Sequence, residues 1–257
     1  MAYGLRAITF NGYDMQTTDV VSLRFPDIDD VIYGENNFAR IGTTDGQKWI
    51  ETKYGGRVIT VQGMITGTSI ANVEGVLDTF KENIFLNEIA NLDIGYAGTT
   101  RRWKAKVRNV RMDESLKGLT RGFTVEFETL GFGQETTATT VSYANETGSP
   151  TKTVTFAGSV KPLPKYIITV NSATSLTGVT ILCDTTNREI EVQETLVATD
   201  VLEIDTELKT VTINSVAVDQ FLGIFPEVNQ GENDITFTFA SSAHDVDIDI
   251  QYTKRYL

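Results

Sequence analysis

Cysteine and histidine are nearly absent from this 257-residue chain, each occurring once, as Cys183 and His244. A single thiol excludes an internal disulfide and leaves no second cysteine for a structural zinc site. Its setting, the apolar run VTILCD, points to a buried, inert thiol. One histidine leaves one candidate base for any Ser–His–Asp or Cys–His arrangement. It stands in SSAHDVD, where no nucleophile elbow is present, and reads as a solvated turn residue between two strands. No apolar run reaches the roughly 18 residues a membrane-spanning helix needs. The first residues, MAYGLRAITFNGYDM, have neither the long apolar core nor the small-residue cleavage site of a secretory signal. The expectation is a chain made in a cytoplasm with its N-terminus retained. Positive charge is also short: 22 Lys and Arg face 34 Asp and Glu, for a net of −12. That balance argues against general nucleic-acid binding, which needs an excess of cations to neutralise phosphates.

The charge that is present is uneven. Residues 1–150 hold 15 Lys/Arg and 19 Asp/Glu, a net of −4, whereas residues 151–257 hold 7 and 15, a net of −8. Two segments of different electrostatics suggest two surfaces with different partners. The only basic cluster is Arg101, Arg102, Lys104, Lys106, Arg108 and Arg111. Nucleic acid is one reading, with Trp103 as a stacking ring, but in a strand Trp103 faces away from Lys104 and Lys106. The preferred reading is a protein–protein rim that meets acidic surface on a neighbouring subunit.

Hydrophobic periodicity divides the chain. In the first part, LRAITF and VVSLRF read as strands around the turn signal NGYD, and Gly34 to Gly46 as an extended polar loop ending in Asp45-Gly46. Arg57 to Ile65 alternates as a strand, with Trp49 to Lys53 as its hairpin partner. Ile70, Val73, Leu77, Phe80 and Ile84 form one helical stripe, predicting a helix from Ile70 to about Asn91 with Ser69 as N-cap. Glu74, Asp78, Lys81 and Glu82 occupy its opposite face, and Gly75, costly in a helix, is read as permitting close packing on a sheet. Leu92 to Tyr96, Trp103 to Met112 and Gly122 to Leu130 complete a β-rich unit, with Trp103, Ala105 and Val107 inward. Residues 136–152, rich in Thr, Ser, Gly and Asn, read as a linker with TTVSY as a candidate strand at its centre. From 153 onward come eight strand patterns (TVTFAG, KYIITV, GVTILCD, REIEVQE, DVLEIDT, KTVTINS, NDITFTFA, DVDIDIQY) with no helical period. These predict an antiparallel β-sandwich. The expected organisation is 1–135, a linker 136–152, and a sandwich 153–257, mainly β with one α-helix.

No constellation for catalysis, cofactor or metal emerges. Asp245, Asp247 and Asp249 tempt a calcium reading, but the EF-hand positions for Gly and Glu hold Ile250 and Tyr256. They read as a solvated outer row on an edge strand, opposite Val246, Ile248 and Ile250, that would blunt edge-to-edge pairing, with a weak surface Ca²⁺ site as the alternative. Both tryptophans, Trp49 and Trp103, lie in the first part, so the second lacks the commonest sugar-stacking aromatic. The chain therefore reads as a structural and binding protein and not an enzyme, with a carbohydrate-binding sandwich as the runner-up.

The order of pieces carries a resemblance. IGTTDGQKWIETKYGGRVITVQGMITGTS, then VEGVLDTFKENIF, LDIGYAGTTRRWKAKVRNVRM and FTVEFETLGFG, resembles the N-terminal domain of phage distal tail proteins. GSVKPLPKYIITV, DVLEIDTELKTVTINS, GIFPEVNQGENDITFTF and IDIQYTKRYL look like the C-terminal galectin-like sandwich of the same proteins, with Phe225-Pro226 and Gly231-x-Asn233 as the most specific piece. The resemblance implies an N-terminal β-barrel or sheet domain with a packed helix that forms a homohexameric ring. It implies a place at the virion tail tip of a long non-contractile tail, between the tail tube protein and the tail-tip hub or tail-associated protein. Receptor-binding or side-fibre proteins are further implied partners, and DNA passes only as cargo. No membrane or cofactor is implied. Some members carry a long arm inserted in the sandwich; no insertion of that size separates the strands here.

Overall fold

The computed structural model describes residues 7–24, 34–40, 47–54, 56–86, 88–96, 98–113, 119–173, 176–240 and 244–256. The chain divides into two compact units, one drawn from residues up to Thr136 and the other spanning Thr137–Tyr256. No helix among the described residues is long and apolar enough to cross a membrane.

The first unit runs β1 (Ile8–Phe10), β2 (Tyr13–Asp14), β3 (Val20–Arg24), β4 (Gly34–Arg40), β5 (Gln47–Tyr54), β6 (Val58–Thr66), α1 (Ile70–Ile84), β7 (Ala90–Tyr96), β8 (Thr99–Met112) and β9 (Thr120–Glu135). Its main sheet is antiparallel with the order β2-β1-β7-β8-β9-β6-β3. Asn11 and Gly12, both at positive φ, make the β1–β2 turn, the Asn-Gly geometry that matches strand twist. Alternate residues of β6 and β9 point inward: Ile59, Val61 and Ile65 lie against Phe123, Val125 and Phe127. Helix α1 covers this inner face. Ser69 accepts a hydrogen bond from the Asn72 amide at 3.1 Å, capping a free backbone donor. Val73, Phe80 and Ile84 are buried, with Phe80 against Phe123 at 4.7 Å between ring centres and Phe10 against Phe127 at 4.9 Å.

Several expectations change here. The segment 34–40 is a strand, not a loop, and it pairs with β5; the Asp45-Gly46 turn lies outside the described residues. β5 is thus the partner of β4, while β6 takes β3 and β9 as neighbours. The helix ends at Ile84, where the Phe85 amide still bonds to the Lys81 carbonyl, because residues from Ala90 must pair with β1 and β8. Ile70, on the predicted stripe, is 68% exposed. Gly75 does not serve packing: a Cβ built there meets nothing within 4 Å.

The second unit is a sandwich of two antiparallel sheets. Its strands are β10 (Thr139–Glu146), β11 (Thr151–Phe156), β12 (Lys165–Ala173), β13 (Leu176–Cys183), β14 (Arg188–Leu196), β15 (Val201–Asp205), β16 (Thr210–Ile213), β17 (Val216–Ala217), β18 (Phe221–Gly223), β19 (Gly231–Phe239) and β20 (His244–Tyr252). One sheet has the order β10-β20-β12-β15-β16-β17, the other β11-β19-β13-β14-β18. Their inner faces form one core from Phe156, Tyr166, Ile181, Ile204, Phe237 and Ile248, among others. All eight sequence-read strands are present. The candidate strand TTVSY, read at the centre of the linker, is present and longer: Thr139–Glu146 pairs with β20 across Val141↔Ile250 and Tyr143↔Ile248. The strand is set mainly by that pairing, since none of its residues is fully buried and Val141 and Tyr143 alone pack against the core.

The Phe225-Pro226 and Gly231-x-Asn233 motif has a structural reason. The Tyr166 hydroxyl, fully buried, donates to the Pro226 carbonyl at 3.0 Å. Asn233, 1% exposed, accepts from the Asn229 amide at 2.9 Å and donates to the carbonyls of Asn229 and Gly231. One buried amide thereby closes the loop that enters β19, where an unpaired one would be costly.

Candidate assembly surface

The basic cluster lies on β8, held between β7 and β9. Trp103 and Ala105 are fully buried while Lys104 and Lys106 are exposed, as strand alternation requires. Two irregularities interrupt the β8–β9 ladder, between Arg102 and Lys104 and between Val107 and Asn109. The first makes room for the indole. Opposite Trp103 the partner strand bulges through Gly131, at positive φ, to Gly133, where a Cβ would come within 2.4–2.7 Å of the Trp103 ring. The Arg57 guanidinium sits over the same ring at 5.2 Å, within cation–π range. Buried Thr129 fixes that arginine's backbone, accepting from the Arg57 amide and donating to its carbonyl, both at 3.1 Å.

The six cations are not equivalent. Arg101 is half-buried and lies out of phase with the exposed lysines. Arg102 is engaged within the sheet: its Nε and Nη2 each donate to Asp93 at 2.7 Å, a bidentate pair between register neighbours whose hydrogen bond raises the arginine's pKa. Lys104, Lys106, Arg108 and Arg111 are exposed, and none has an ion-pair partner among the described residues. Lys106 stands in register opposite Glu128 without forming a salt bridge. The outer face of β8 therefore keeps four cations available and one neutralised.

A concavity of about 400 Å³ opens beside these cations, lined by Phe85, Leu86, Lys106, Val107, Arg108 and Val110, with Asn109 between. Phe85 is 59% exposed there. Sequence reading missed the apolar part of this groove because it extended α1 beyond Ile84, which would have placed Phe85 within the helix.

The remaining singled-out residues have structural settings. His244 is 5% exposed, not solvated: β20 begins with it, so it shares the inward phase of Val246 and Ile248. Its Nε2 lies 3.0 Å from the Gly148 carbonyl and its ring 4.6 Å from Phe239. Cys183 is buried. Asp245, Asp247 and Asp249 do form an outer row, but β20 is flanked by β10 and β12, so the row lies on an interior strand and not on an edge. Asp247 accepts from the Asn145 amide and from Asn171 Nδ2, both at 2.8 Å, and these bonds lower its pKa. Among the described residues no group of three or more His, Cys, Asp or Glu is placed to share a metal ion. Glu227 gathers Lys161, Arg188 at 3.0 Å and Lys209 at 3.2 Å. Burial pushes its carboxyl up, but hydrogen bonds from Lys161 and Lys209 and the Lys161 and Arg188 charges outweigh that and hold its pKa below the usual value.

Comparison with known proteins follows the same division. Residues 157–256 match the family described as siphovirus-type tail component, C-terminal domain. No curated protein matches the chain. Among solved structures, the Dit protein of phage SPP1, described as a paradigm of hub adsorption apparatus in phages infecting Gram-positive bacteria, superposes with a TM-score of 0.72. The two share 12% identity over 98% of this chain and 99% of that one. Both units thus have the Dit fold, as the sequence resemblance implied. Two structures of the phage p2 baseplate in its activated conformation, with strontium and with calcium, align at 10% identity. They cover 96% and 97% of this chain and 98% of each matched chain, with TM-scores of 0.45 and 0.46.

Proposed function

We infer that this chain, whose residues 157–256 carry the C-terminal domain of a siphovirus-type tail component, is a structural subunit of the tail tip of a siphophage virion. In this reading the first unit assembles copies into a ring, hexameric by analogy, that joins the tail tube to the tip hub. DNA passes through its channel as cargo. The sandwich faces other tip components, and its role is structural, not catalytic.

The observation that carries the reading is a fold shared over nearly the whole chain with a protein described as part of a hub adsorption apparatus. The surface chemistry supports it. Lys104, Lys106, Arg108 and Arg111 are exposed and have no ion-pair partner among the described residues, whereas the chain as a whole is strongly acidic. Unlike patches on successive copies are what a head-to-tail contact needs, and such contacts close into rings when the rotation permits. Native mass spectrometry and negative-stain imaging of the full chain test it. A ring of defined copy number is expected; a particle that stays monomeric up to the highest attainable concentration would overturn the reading.

A further inference from the structure

Resting on that reading, we propose that the groove between the end of α1 and β8 receives the acidic outer face of α1 from a second copy of the chain. The groove combines two features that the described residues leave unsatisfied. Phe85, Leu86, Val107 and Val110 give it an apolar lining, and Lys106 and Arg108 stand exposed beside them. Neither cation has an ion-pair partner among the described residues. An occupant must therefore carry carboxylates next to small or apolar groups. A nucleic-acid backbone would meet the cations but set phosphates against Phe85 and the valines, which removes little apolar surface from water.

Helix α1 presents a surface of the required kind. Glu74, Asp78 and Glu82 are all exposed, and a spacing of four residues places them along one line. Like charges at that spacing oppose the helix, and among the described residues they are relieved by Lys81, 3.5 Å from Asp78. Beside the line, Ala71 and Gly75 are exposed, and the open space at Gly75 lets another backbone come close. The inner stripe of Val73, Phe80 and Ile84 is committed to the core, so the acidic line points away from the sheet. Contact between it and the groove of the next copy joins unlike patches, which is the head-to-tail geometry.

The test uses the full chain and reads the concentration at which half of it is assembled. Lys106→Glu with Arg108→Glu, and separately Glu74→Lys with Asp78→Lys, are each expected to raise that concentration at least about tenfold. All four changes in one chain restore opposite charges across the contact and are expected to recover most of the assembly. Gly75→Trp supplies a variant whose fold is safe, since nothing lies within 4 Å of the added side chain's root; it is expected to block assembly with an unchanged circular dichroism spectrum. Reversals that leave assembly intact, or that weaken it without rescue in the fourfold variant, overturn the proposal while the ring itself stands. A wild-type chain that never assembles overturns both. Retardation of duplex DNA by the wild type, lost on reversing Lys106 and Arg108 while rings still form, would assign the groove to nucleic acid instead and overturn it too.

Discussion

In the sandwich, Lys152 meets Glu146 at 2.6 Å, Lys165 meets Glu203 at 3.0 Å, and Lys161, Arg188 and Lys209 converge on Glu227; along β8 of the first unit, Arg102 meets Asp93 at 2.7 Å, while Lys104, Lys106, Arg108 and Arg111 have no ion-pair partner among the described residues. The two units are both antiparallel β structures with aromatic cores, yet they spend their cations differently. The sandwich, poor in basic residues, uses them to tie strands and loops of its own surface together and presents an acid surplus. The first unit, with more than twice as many, leaves several exposed on one strand. Exposed pairs add little stability, so the contrast concerns what each surface offers a neighbour more than how firmly each unit folds.

Three substitutions probe that contrast. The largest effect is expected at Trp103, which roots the cationic strand in the core: Trp103→Ala should destabilise the first unit by about 3–5 kcal/mol, measured by urea denaturation. A loss below about 1 kcal/mol would mean that β8 is held by its ladder alone. In the sandwich, Tyr166→Phe removes the buried hydroxyl donor to Pro226 and leaves that carbonyl unpaired, for an expected loss of about 1–3 kcal/mol in the same measurement. The smallest effect is confined to acid. Because the folded-state pKa of Glu227 is lowered, its ionised form contributes stability that is complete above the ordinary Glu value and is lost as pH falls through the lowered one. Glu227→Gln should therefore flatten the acid limb of stability against pH and release three cations, making the sandwich resemble the first unit. An acid limb that coincides with the wild type would show that the cluster contributes nothing to folding.

Much of this architecture is legible in the sequence wherever burial imposes a period. The helix start at Ser69, the inward set of Trp103 and Ala105, and the eight sandwich strands all follow from alternating or stripe patterns. What escaped is structure set by pairing. GENNFAR is a polar strand whose backbone is satisfied by β5, and nothing in its side chains announces it; in TTVSYANE, only the alternation of Val141 and Tyr143 hinted at the strand that β20 pairs. His244 was obscured by the polar residues before it, although the period of β20 extends back to include it. At the candidate surface, the run of cations was visible but its division was not. Ladder irregularities near Trp103 and Asn109, and the capture of Arg102 by Asp93, depend on partner strands that a linear reading cannot align.

The position of β20 has a consequence for synthesis. This strand lies between β10 and β12 and bonds to both, yet it is the last long strand of the chain. As the polypeptide leaves the ribosome, β10 and β12 are exposed well before the segment that must separate them is made, and during that interval two strand edges face each other with no native partner. Direct pairing of β10 with β12 would be a misfolded off-pathway state of the kind non-local β topologies invite. Half of the side chains of Thr139–Glu146 are exposed and none is fully buried, with Val141 and Tyr143 the hydrophobics that pack against the core; this modest apolar content gives a premature sheet little gain, so the early edge can wait in solution for the late strand.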